Sequence, residues 1–288
     1  MTHRFIDMRL RPPIPEWVSG PTFKTAMYYP RHVANFRGAR SAWTESIETL
    51  FQEMDSTGVR YGVVMGRAAA GKLGGVSNSA ILNTLERWPN RFLGFLGVDL
   101  ENVRDGVSEL KEIAGQAGVK GVSIEPGSNK TALLADDPKL DPIYDFCEER
   151  GLPVSISLSG LLSALAGHDI TWASPVAAQR VALRRPKLTI VMSHASWPYA
   201  HEMVSIALTC PNIYVSPDVY ISKARMPGAS TYVDAANCFL ADRTLWGTAY
   251  PSQSLEEGTR DFLAMDWNPA IVDKVAYGNA ARLFGLEP

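Results

Sequence analysis

Residues 141–154, DPIYDFCEERGLPV, join a helical pattern to a strand through a single glycine. The helical part ends at Gly151, and glycine is common there because it adopts the left-handed backbone that closes many helices. The strand begins at Pro153 and continues as an apolar run. A helix followed directly by a buried strand is one half of a βαβ unit, so this stretch predicts a parallel sheet.

The same plan recurs along the chain. In residues 41–58, SAWTESIETLFQEMDSTG, the residues Ile47, Leu50, Phe51 and Met54 form one apolar stripe and Gly58 stands at the cap. Residues 102–118, NVRDGVSELKEIAGQAG, repeat the pattern. Short apolar runs lie near residues 5, 62, 95, 122, 155, 190, 214 and 246. Eight such units in one chain predict a single-domain α/β fold, a (β/α)8 barrel over residues 1–288.

Composition and charge exclude several classes of protein. The 288 residues carry a formal net charge of −2 without a basic run, which argues against a nucleic-acid or acidic-membrane partner. Cys147, Cys210 and Cys238 are widely spaced and form no CxxC pair, so a disulfide framework is not expected. Neither a signal peptide nor a membrane span is evident, and we expect a cytoplasmic protein.

Residues 11–40 interrupt the regular order. This segment is rich in proline, arginine and aromatic residues and lacks a clear period, which predicts a long loop after the first strand. Two interpretations remain open: a surface excursion packed by its own aromatics, or a lid over the mouth of the barrel.

Several local patterns are similar to those of one enzyme family. They are FIDMRLRPP (5–13), ERWPNRFLGFLGVDL (86–100), GLPVSISLSG (151–160), IVMSHASWP (190–198), LWGTAYP (245–251) and VAYGNAARLFGL (275–286). Together they resemble the amidohydrolase-related family that includes amino-carboxymuconate-semialdehyde decarboxylase and the pyrone-dicarboxylate lactonases. The resemblance implies a TIM barrel whose strand ends hold a divalent metal, and a homodimer is common among such barrels.

The residues that bind the metal in this family are replaced here. The resemblance places Arg9 and Arg11 at the two first-strand histidines, Ser157 at the fifth-strand histidine and Ala249 at the eighth-strand aspartate. His194 alone matches, at the position of the histidine that activates water. Arginine has no lone pair to offer and repels a cation, so we expect no metal cofactor at these positions.

The arginines at the mouth of the predicted barrel indicate an anion-binding site instead of a metal site. Asp7, Arg9 and Arg11 alternate along one predicted strand, about 6.6 Å apart, and should share a face. Guanidinium groups bind carboxylates in a bidentate manner, so Arg9, Arg11 and Arg67 are candidate substrate ligands. An internal salt-bridge network that fills the former metal position is the alternative. Further candidates, which line this mouth or balance its positive charge, are Glu125, Ser157, Asp218 and Tyr250.

His194 is the candidate catalytic residue, since an imidazole near its ordinary pKa suits general acid or base work. Two neighbouring arginines should lower its pKa and favour the neutral base. Ser157 and Ser159 are weaker candidates as nucleophiles, because the sequence lacks a GxSxG elbow.

Three functions remain open from the sequence. The first is a metal-independent hydrolase acting on a small carboxylated substrate such as a lactone. The second is an inactive barrel that binds an anionic metabolite or a partner protein. In the third, a divalent metal such as zinc is held by a non-standard set, for instance Glu125, His194 and Asp218, in a hydrolase or decarboxylase.

Overall fold

The computed structural model describes residues 3–68, 71–223 and 226–287. Its seven parallel strands form one sheet in the order of the chain. The strands are β1 Phe5–Asp7, β2 Val59–Met65, β3 Phe92–Gly97, β4 Val119–Ile124, β5 Val154–Ser157, β6 Ile190–Ser193 and β7 Ile213–Ser216. Strictly sequential parallel order is the topology expected of a βα barrel, and the prediction of this fold class is confirmed.

Residues 244–250 close the barrel between β7 and β1. Leu245 donates its backbone N–H to Val215 O at 2.9 Å, and Met8 donates to Trp246 O at 3.1 Å. The predicted eighth strand therefore lies where expected, but it pairs only through isolated bridges. A full ladder of backbone hydrogen bonds is prevented for two reasons. The Thr248 N–H donates to the Asp7 side chain at 3.0 Å, and Ala249 has a left-handed φ of 53°.

Thirteen α-helices lie among the described residues and surround the sheet. They are α1 Pro15–Val18, α2 Pro21–Ala34, α3 Arg40–Trp43, α4 Ile47–Thr57, α5 Asn78–Arg87, α6 Val103–Ile113, α7 Asp141–Arg150, α8 Gly160–Ala166, α9 Val176–Arg184, α10 Ala200–Thr209, α11 Ala229–Ala235, α12 Leu255–Leu263 and α13 Asn279–Phe284. Gly58 and Gly151 end α4 and α7 with left-handed caps, as the sequence predicts. In the described part of the chain, no helix has the length and apolarity needed to cross a bilayer.

The segment 11–40 is not one long loop. It contains α1, α2 and the start of α3, so the loop prediction is wrong for most of its length. The proline content of this segment favours a loop, whereas Pro15 and Pro21 are the first residues of their helices. Proline is favoured at that position because the N–H that it lacks would have no partner inside the helix.

Two apolar layers hold the sheet in place. Val64 and Leu96 belong to the larger cluster between strands and helices, whereas Val63 and Phe95 belong to a smaller cluster that includes α13. The ring of Phe284 packs edge-on against Phe95, with centroids 5.9 Å apart. Since α13 also contacts Lys120 at the start of β4, it covers the amino ends of the strands. The carboxyl ends are left to form the site.

Gly121 provides a test of the strand packing. A Cβ at this buried position of β4 would lie 2.3 Å from Phe95 Cε1 and 2.6 Å from Pro153 O. We expect Gly121→Ala to lower the free energy of unfolding by about 1–3 kcal/mol, as overpacking does in other cores. Gly115→Ala is the matched control because no atom lies within 4 Å of its Cβ. Urea denaturation measures both variants, and equal stability of the two would contradict the packing described here.

Candidate functional site

The carboxyl ends of the strands carry a buried group of polar side chains. Each member either is the last residue of a strand or follows the strand closely. They are Arg9 after β1, Arg67 after β2, Glu125 after β4, Ser157 at the end of β5, His194 after β6 and Asp218 after β7. Parallel strands deliver their carboxyl ends to one rim of a barrel, which is where active sites of this fold lie. The structure thus brings together residues that are up to 209 positions apart in the sequence, from Arg9 to Asp218.

Arg9 lies at the centre of this group and is 1% exposed. Its Nη1 is 3.3 Å from Glu125 Oε1, and its Nε is 3.3 Å from Asp218 Oδ2. Its Nη2 donates to Ser157 Oγ at 3.1 Å. One guanidinium therefore joins the ends of four strands, and its charge faces two carboxylates.

Arg67 extends this network towards α2. Its Nη2 is 2.6 Å from Glu125 Oε2, and its Nη1 donates to Thr22 Oγ1 at 3.1 Å. Burial by itself would raise the pKa of Glu125, but the charges of Arg67 and Arg9 outweigh burial and hold that pKa below its usual value. Glu125 is therefore ionised at neutral pH, and it balances the charge of one arginine.

Asp7 makes no salt bridge to an arginine side chain in the described part of the chain. It accepts from the backbone N–H groups of Arg9 and Thr248, each at 3.0 Å, and from the Thr248 hydroxyl. These bonds bend the chain, so β1 ends at Asp7 and the predicted alternation of Arg9 and Arg11 on one strand face is wrong. The two arginine side chains reach different partners for this reason.

His194 follows β6 in an unusual backbone. His194, Ala195 and Ser196 have φ values of 61°, 43° and 57°, and α10 begins only at Ala200. Consecutive left-handed residues other than glycine are strained, and such strain is concentrated at functional sites.

Asp218 holds the His194 turn in place. Its Oδ2 accepts from the His194 backbone N–H at 3.2 Å and lies 3.1 Å from the ring Nδ1. Its other oxygen, Oδ1, accepts from Ser216 Oγ at 2.6 Å. The Nδ1 contact is close but not aligned as a hydrogen bond, and Nε2 has no hydrogen-bond partner among the described residues. One ring nitrogen is thus available to a ligand.

The protonation state of His194 follows from its surroundings. Burial lowers the pKa of the imidazole well below 6.5, and the charges of Arg9, Arg11 and Arg67 lower it further. His194 is therefore neutral at pH 7, in agreement with the expectation from the sequence. A neutral imidazole can accept a proton.

A cavity of about 430 Å³ lies above the Arg9 network. Its walls are mostly apolar: Leu161, Leu162 and Leu165 of α8, Trp197, Val219, Tyr220, Phe36 and Leu73. The rings of Trp197 and Tyr220 stack in parallel, with centroids 4.8 Å apart. Small-molecule sites have this size and this apolar character.

Helix α2 forms part of the cavity wall. Thr22, Thr25, Ala26 and Tyr29 all line the cavity, so part of the segment 11–40 forms one of its walls. A hydrogen bond from Arg67 to Thr22 connects this helix to the buried network. The interpretation of residues 11–40 as a lid over the mouth of the barrel stays a prediction.

Arg11 forms no salt bridge to a carboxylate of the buried network. It lines the cavity, and its Nη1 donates only long hydrogen bonds, to Ala249 O at 3.4 Å and Tyr250 O at 3.3 Å. Burial lowers the pKa of Arg11 to about 9, and the charges of Arg9 and Arg67 act in the same direction. It stays protonated at pH 7. In the described part of the chain, no carboxylate lies within salt-bridge distance of its guanidinium.

The predicted site residues thus separate into two groups. Arg11, Arg67 and His194 line the cavity, whereas Arg9, Glu125, Ser157 and Asp218 lie beneath it. Tyr250 does not line the cavity: its hydroxyl contacts Ser41 Oγ at 2.7 Å. Sequence reasoning missed the α2 and α8 residues of the wall. The run LLSAL after β5 was the available signal.

The side chains at these strand ends do not fit a divalent metal ion. Arg9 contacts both Glu125 and Asp218, and a guanidinium between two carboxylates repels a cation and offers it no lone pair. Within the described ranges, no three His, Cys, Asp or Glu residues are grouped so that they could hold a metal. The non-standard set of Glu125, His194 and Asp218 loses support for the same reason.

Comparison with known proteins agrees with the fold. A family model described as amidohydrolase matches residues 44–286. An uncharacterised TIM-barrel protein from Bordetella bronchiseptica is 35% identical, with a TM-score of 0.88 and coverage of 98% of both chains. The chain is thus similar over its whole length to a solved barrel.

Two further relatives have named activities. A γ-resorcylate decarboxylase from Rhizobium radiobacter is 23% identical over 277 residues, 84% of each protein. The structure of a 2,6-dihydroxybenzoate decarboxylase from Rhizobium is 17% identical with a TM-score of 0.71, and the match covers 98% of this chain and 99% of that one. At this identity the second comparison shows the fold alone.

Asp7 gives this site a testable pH dependence. Burial raises the pKa of its carboxyl from 3.8 to about 7. The folded state therefore favours the protonated acid, and the stabilising contribution of Asp7 is present below about pH 4 and is lost as pH rises through about 7. Asp7→Asn removes this titration. We expect the stability of the variant relative to the parent to increase with pH, by about 1.4 kcal/mol per unit between about pH 4 and pH 7.

Urea denaturation at several pH values measures this difference. Asn can still accept the two backbone N–H groups, so the fold of the loop is retained. A stability difference that stays constant from pH 4 to pH 8 would show that Asp7 is ionised in the folded protein throughout.

Proposed function

The chain belongs to the amidohydrolase family, and we propose that it is a metal-independent hydrolase of small carboxylated esters or lactones. One observation carries the proposal. Among the described residues, Arg11 has no acidic partner and the neutral imidazole of His194 has a ring nitrogen without a hydrogen-bond partner, and both side chains line the same apolar cavity. The first can bind a carboxylate, and the second can accept a proton.

Substrate binding follows from the charge of the cavity. A buried cation costs free energy unless an anion meets it, so a carboxylate that enters beside Arg11 gains both charge compensation and hydrogen bonds. Apolar walls with the stacked Trp197 and Tyr220 favour a ring on the same substrate. Lys223 also lines the cavity, but Glu257 already neutralises it at 2.8 Å. Arg11 is therefore the proposed carboxylate ligand.

The chemistry requires one water molecule and one base. His194 Nε2 takes a proton from water, and the resulting hydroxide oxygen bonds to the carbonyl carbon of the ester or lactone. Arg67 stabilises the negative charge that develops on the carbonyl oxygen. The C–O bond of the leaving alcohol then breaks, and that oxygen takes the proton back from His194. Asp218 beside Nδ1 stabilises the imidazolium formed between these steps.

The protonation state of His194 favours hydrolysis over decarboxylation. Loss of CO₂ from an aromatic ring requires a proton donor to the ring carbon, and an imidazole whose pKa lies well below 6.5 is a poor donor at pH 7. In addition, Arg11 would stabilise the carboxylate in the ground state and so slow its departure.

Decarboxylation is the second candidate because the named relatives are decarboxylases of carboxylated aromatics. A product assay separates the two. The protein is incubated with carboxylated lactones and aryl esters and, separately, with hydroxybenzoates. Alcohol and acid products support the proposed hydrolase, CO₂ supports a decarboxylase, and binding without turnover supports a barrel that only binds an anionic metabolite.

Arg11 determines substrate binding in this proposal. We expect Arg11→Met to raise KM about 10- to 100-fold, since a charge-assisted hydrogen bond contributes about 1.5–3 kcal/mol. Lys223→Met is the control, because it removes a cation from the same cavity that already has its own acid. Steady-state kinetics on an active lactone or ester measures both. A larger effect of Lys223→Met would place the carboxylate elsewhere.

His194 determines the catalytic rate. We expect His194→Asn to lower kcat about 10²- to 10⁴-fold with little change in KM, because it removes the base. Asn tolerates the left-handed backbone at this position, so the turn is retained. In the parent, kcat should stay constant as pH falls through 6.5, because the neutral base persists to lower pH.

The exposed His201 supplies the matched control. His201→Asn should leave kcat unchanged. Equal activity of His194→Asn and the parent would refute the role of His194, as would a loss of parental kcat centred at pH 6.5.

A further inference from the structure

Helix α8 directs its apolar side chains to the cavity rather than to the core. The three residues of this helix that line the cavity are all leucines, Leu161, Leu162 and Leu165, and together they form the leucine face of α8. Each is half-buried, and none belongs to either of the two apolar clusters that hold the sheet. The apolar surface of these side chains therefore contributes to the cavity and not to the core.

The opposite face of α8 is polar and buried. Ser163 is 1% exposed, and its Oγ donates to Gly127 O at 3.1 Å. A helix at the surface of a globular protein normally buries its apolar side and exposes its polar side. The reversed arrangement in α8 leaves leucine surface that a ligand can cover, and removal of apolar surface from water is favourable.

Helix α8 and Arg11 start from opposite sides of the barrel. The seven strands follow one another in chain order, and residues 244–250 close the barrel between β7 and β1. The strand β5 is therefore the fourth neighbour of β1 in either direction. Arg11 follows β1 and α8 follows β5, so a ligand whose carboxylate binds Arg11 extends across the mouth towards the leucine face.

Two hydrogen bonds hold the start of α8 beside the stacked rings. The Gly160 N–H donates to Trp197 O at 2.7 Å, and the hydroxyl oxygens of Ser159 and Tyr220 lie 2.8 Å apart. Trp197 and Tyr220 line the same cavity as the leucines. The rings and the leucine face thus belong to one apolar wall whose position is fixed.

We propose that the ligand of this cavity is an amphipathic carboxylic acid, and that the leucine face of α8 binds its alkyl substituent. The position of the carboxylate at Arg11 rests on the proposed function, but the ligand need not be hydrolysed. The volume of about 430 Å³ lies in the range of sites that hold drug-sized molecules, so there is room for a substituent beyond a ring. A hydroxyl placed against the leucines would find no hydrogen-bond partner on α8, and its burial would be unfavourable.

The experiment measures binding of a series of acids by isothermal titration calorimetry. The probes are benzoate, 4-ethylbenzoate, 4-butylbenzoate and 4-hydroxybenzoate, because a substituent at position 4 points away from the carboxylate. Each methylene that becomes buried should lower Kd about three- to fourfold, so 4-butylbenzoate should bind about 100-fold more tightly than benzoate. The affinity for 4-hydroxybenzoate should not exceed that for benzoate.

Variants assign this gain in affinity to α8. The double variant Leu162→Gln/Leu165→Gln removes apolar surface, and glutamine is about as favourable in a helix as leucine. Its gain from benzoate to 4-butylbenzoate should fall below about tenfold. Leu183→Gln is the matched control, because this leucine of α9 is 63% exposed and does not line the cavity. Arg11→Met should weaken binding of both acids by the same factor and leave the gain unchanged.

Equal affinity of the parent for benzoate and 4-butylbenzoate, or no binding of either, would overturn the inference. Retention of the full gain in the double variant would also overturn it. Should the double variant not fold, each single variant must lose part of the gain. Failure of the proposed function has a different signature: a gain along the series without hydrolysis of any ester or lactone refutes the hydrolase and supports the leucine site, whereas hydrolysis without the gain does the reverse.

Discussion

The contact of the Arg9 guanidinium with the carboxylates of Glu125 and Asp218 is the interaction on which the site depends. It joins the carboxyl ends of β1, β4 and β7, and Ser157 adds β5. Because all of these groups are buried, each one is costly alone and stable only with the others. The network thus fixes the floor of the barrel mouth, and Asp218 in turn fixes the strained turn that carries His194.

The charge balance of this buried network determines the charge that remains in the cavity above it. Glu125 and Asp218 are both in contact with Arg9, and Arg67 also contacts Glu125. Arg11 is left with two backbone carbonyls at the edge of an apolar cavity. The cavity therefore contains a cation that suits the proposed anionic substrate, and its histidine is neutral. Both properties suit water activation next to a bound carboxylate, and neither requires a metal.

The sequence predicted the fold well and the site in part. Regular βα spacing and the glycine caps at Gly58 and Gly151 depend on local physics, so the barrel could be predicted. Arg9 and Arg11 were also visible at positions where the family resemblance implies metal ligands. The different partners of these two arginines were not, because the bend at Asp7 arises from Thr248, 241 residues away. The α2 wall was missed since its prolines resemble loop residues until their helix positions are known.

A crystal structure of the protein with benzoate tests the central claim most directly, because it shows which arginine the carboxylate selects. We expect the benzoate oxygens within hydrogen-bond distance of the Arg11 guanidinium, the ring against the apolar wall, and Arg9 still in contact with Glu125 and Asp218. A benzoate bound to Arg9, with those two carboxylates displaced, would contradict the division between a structural network and a substrate cavity.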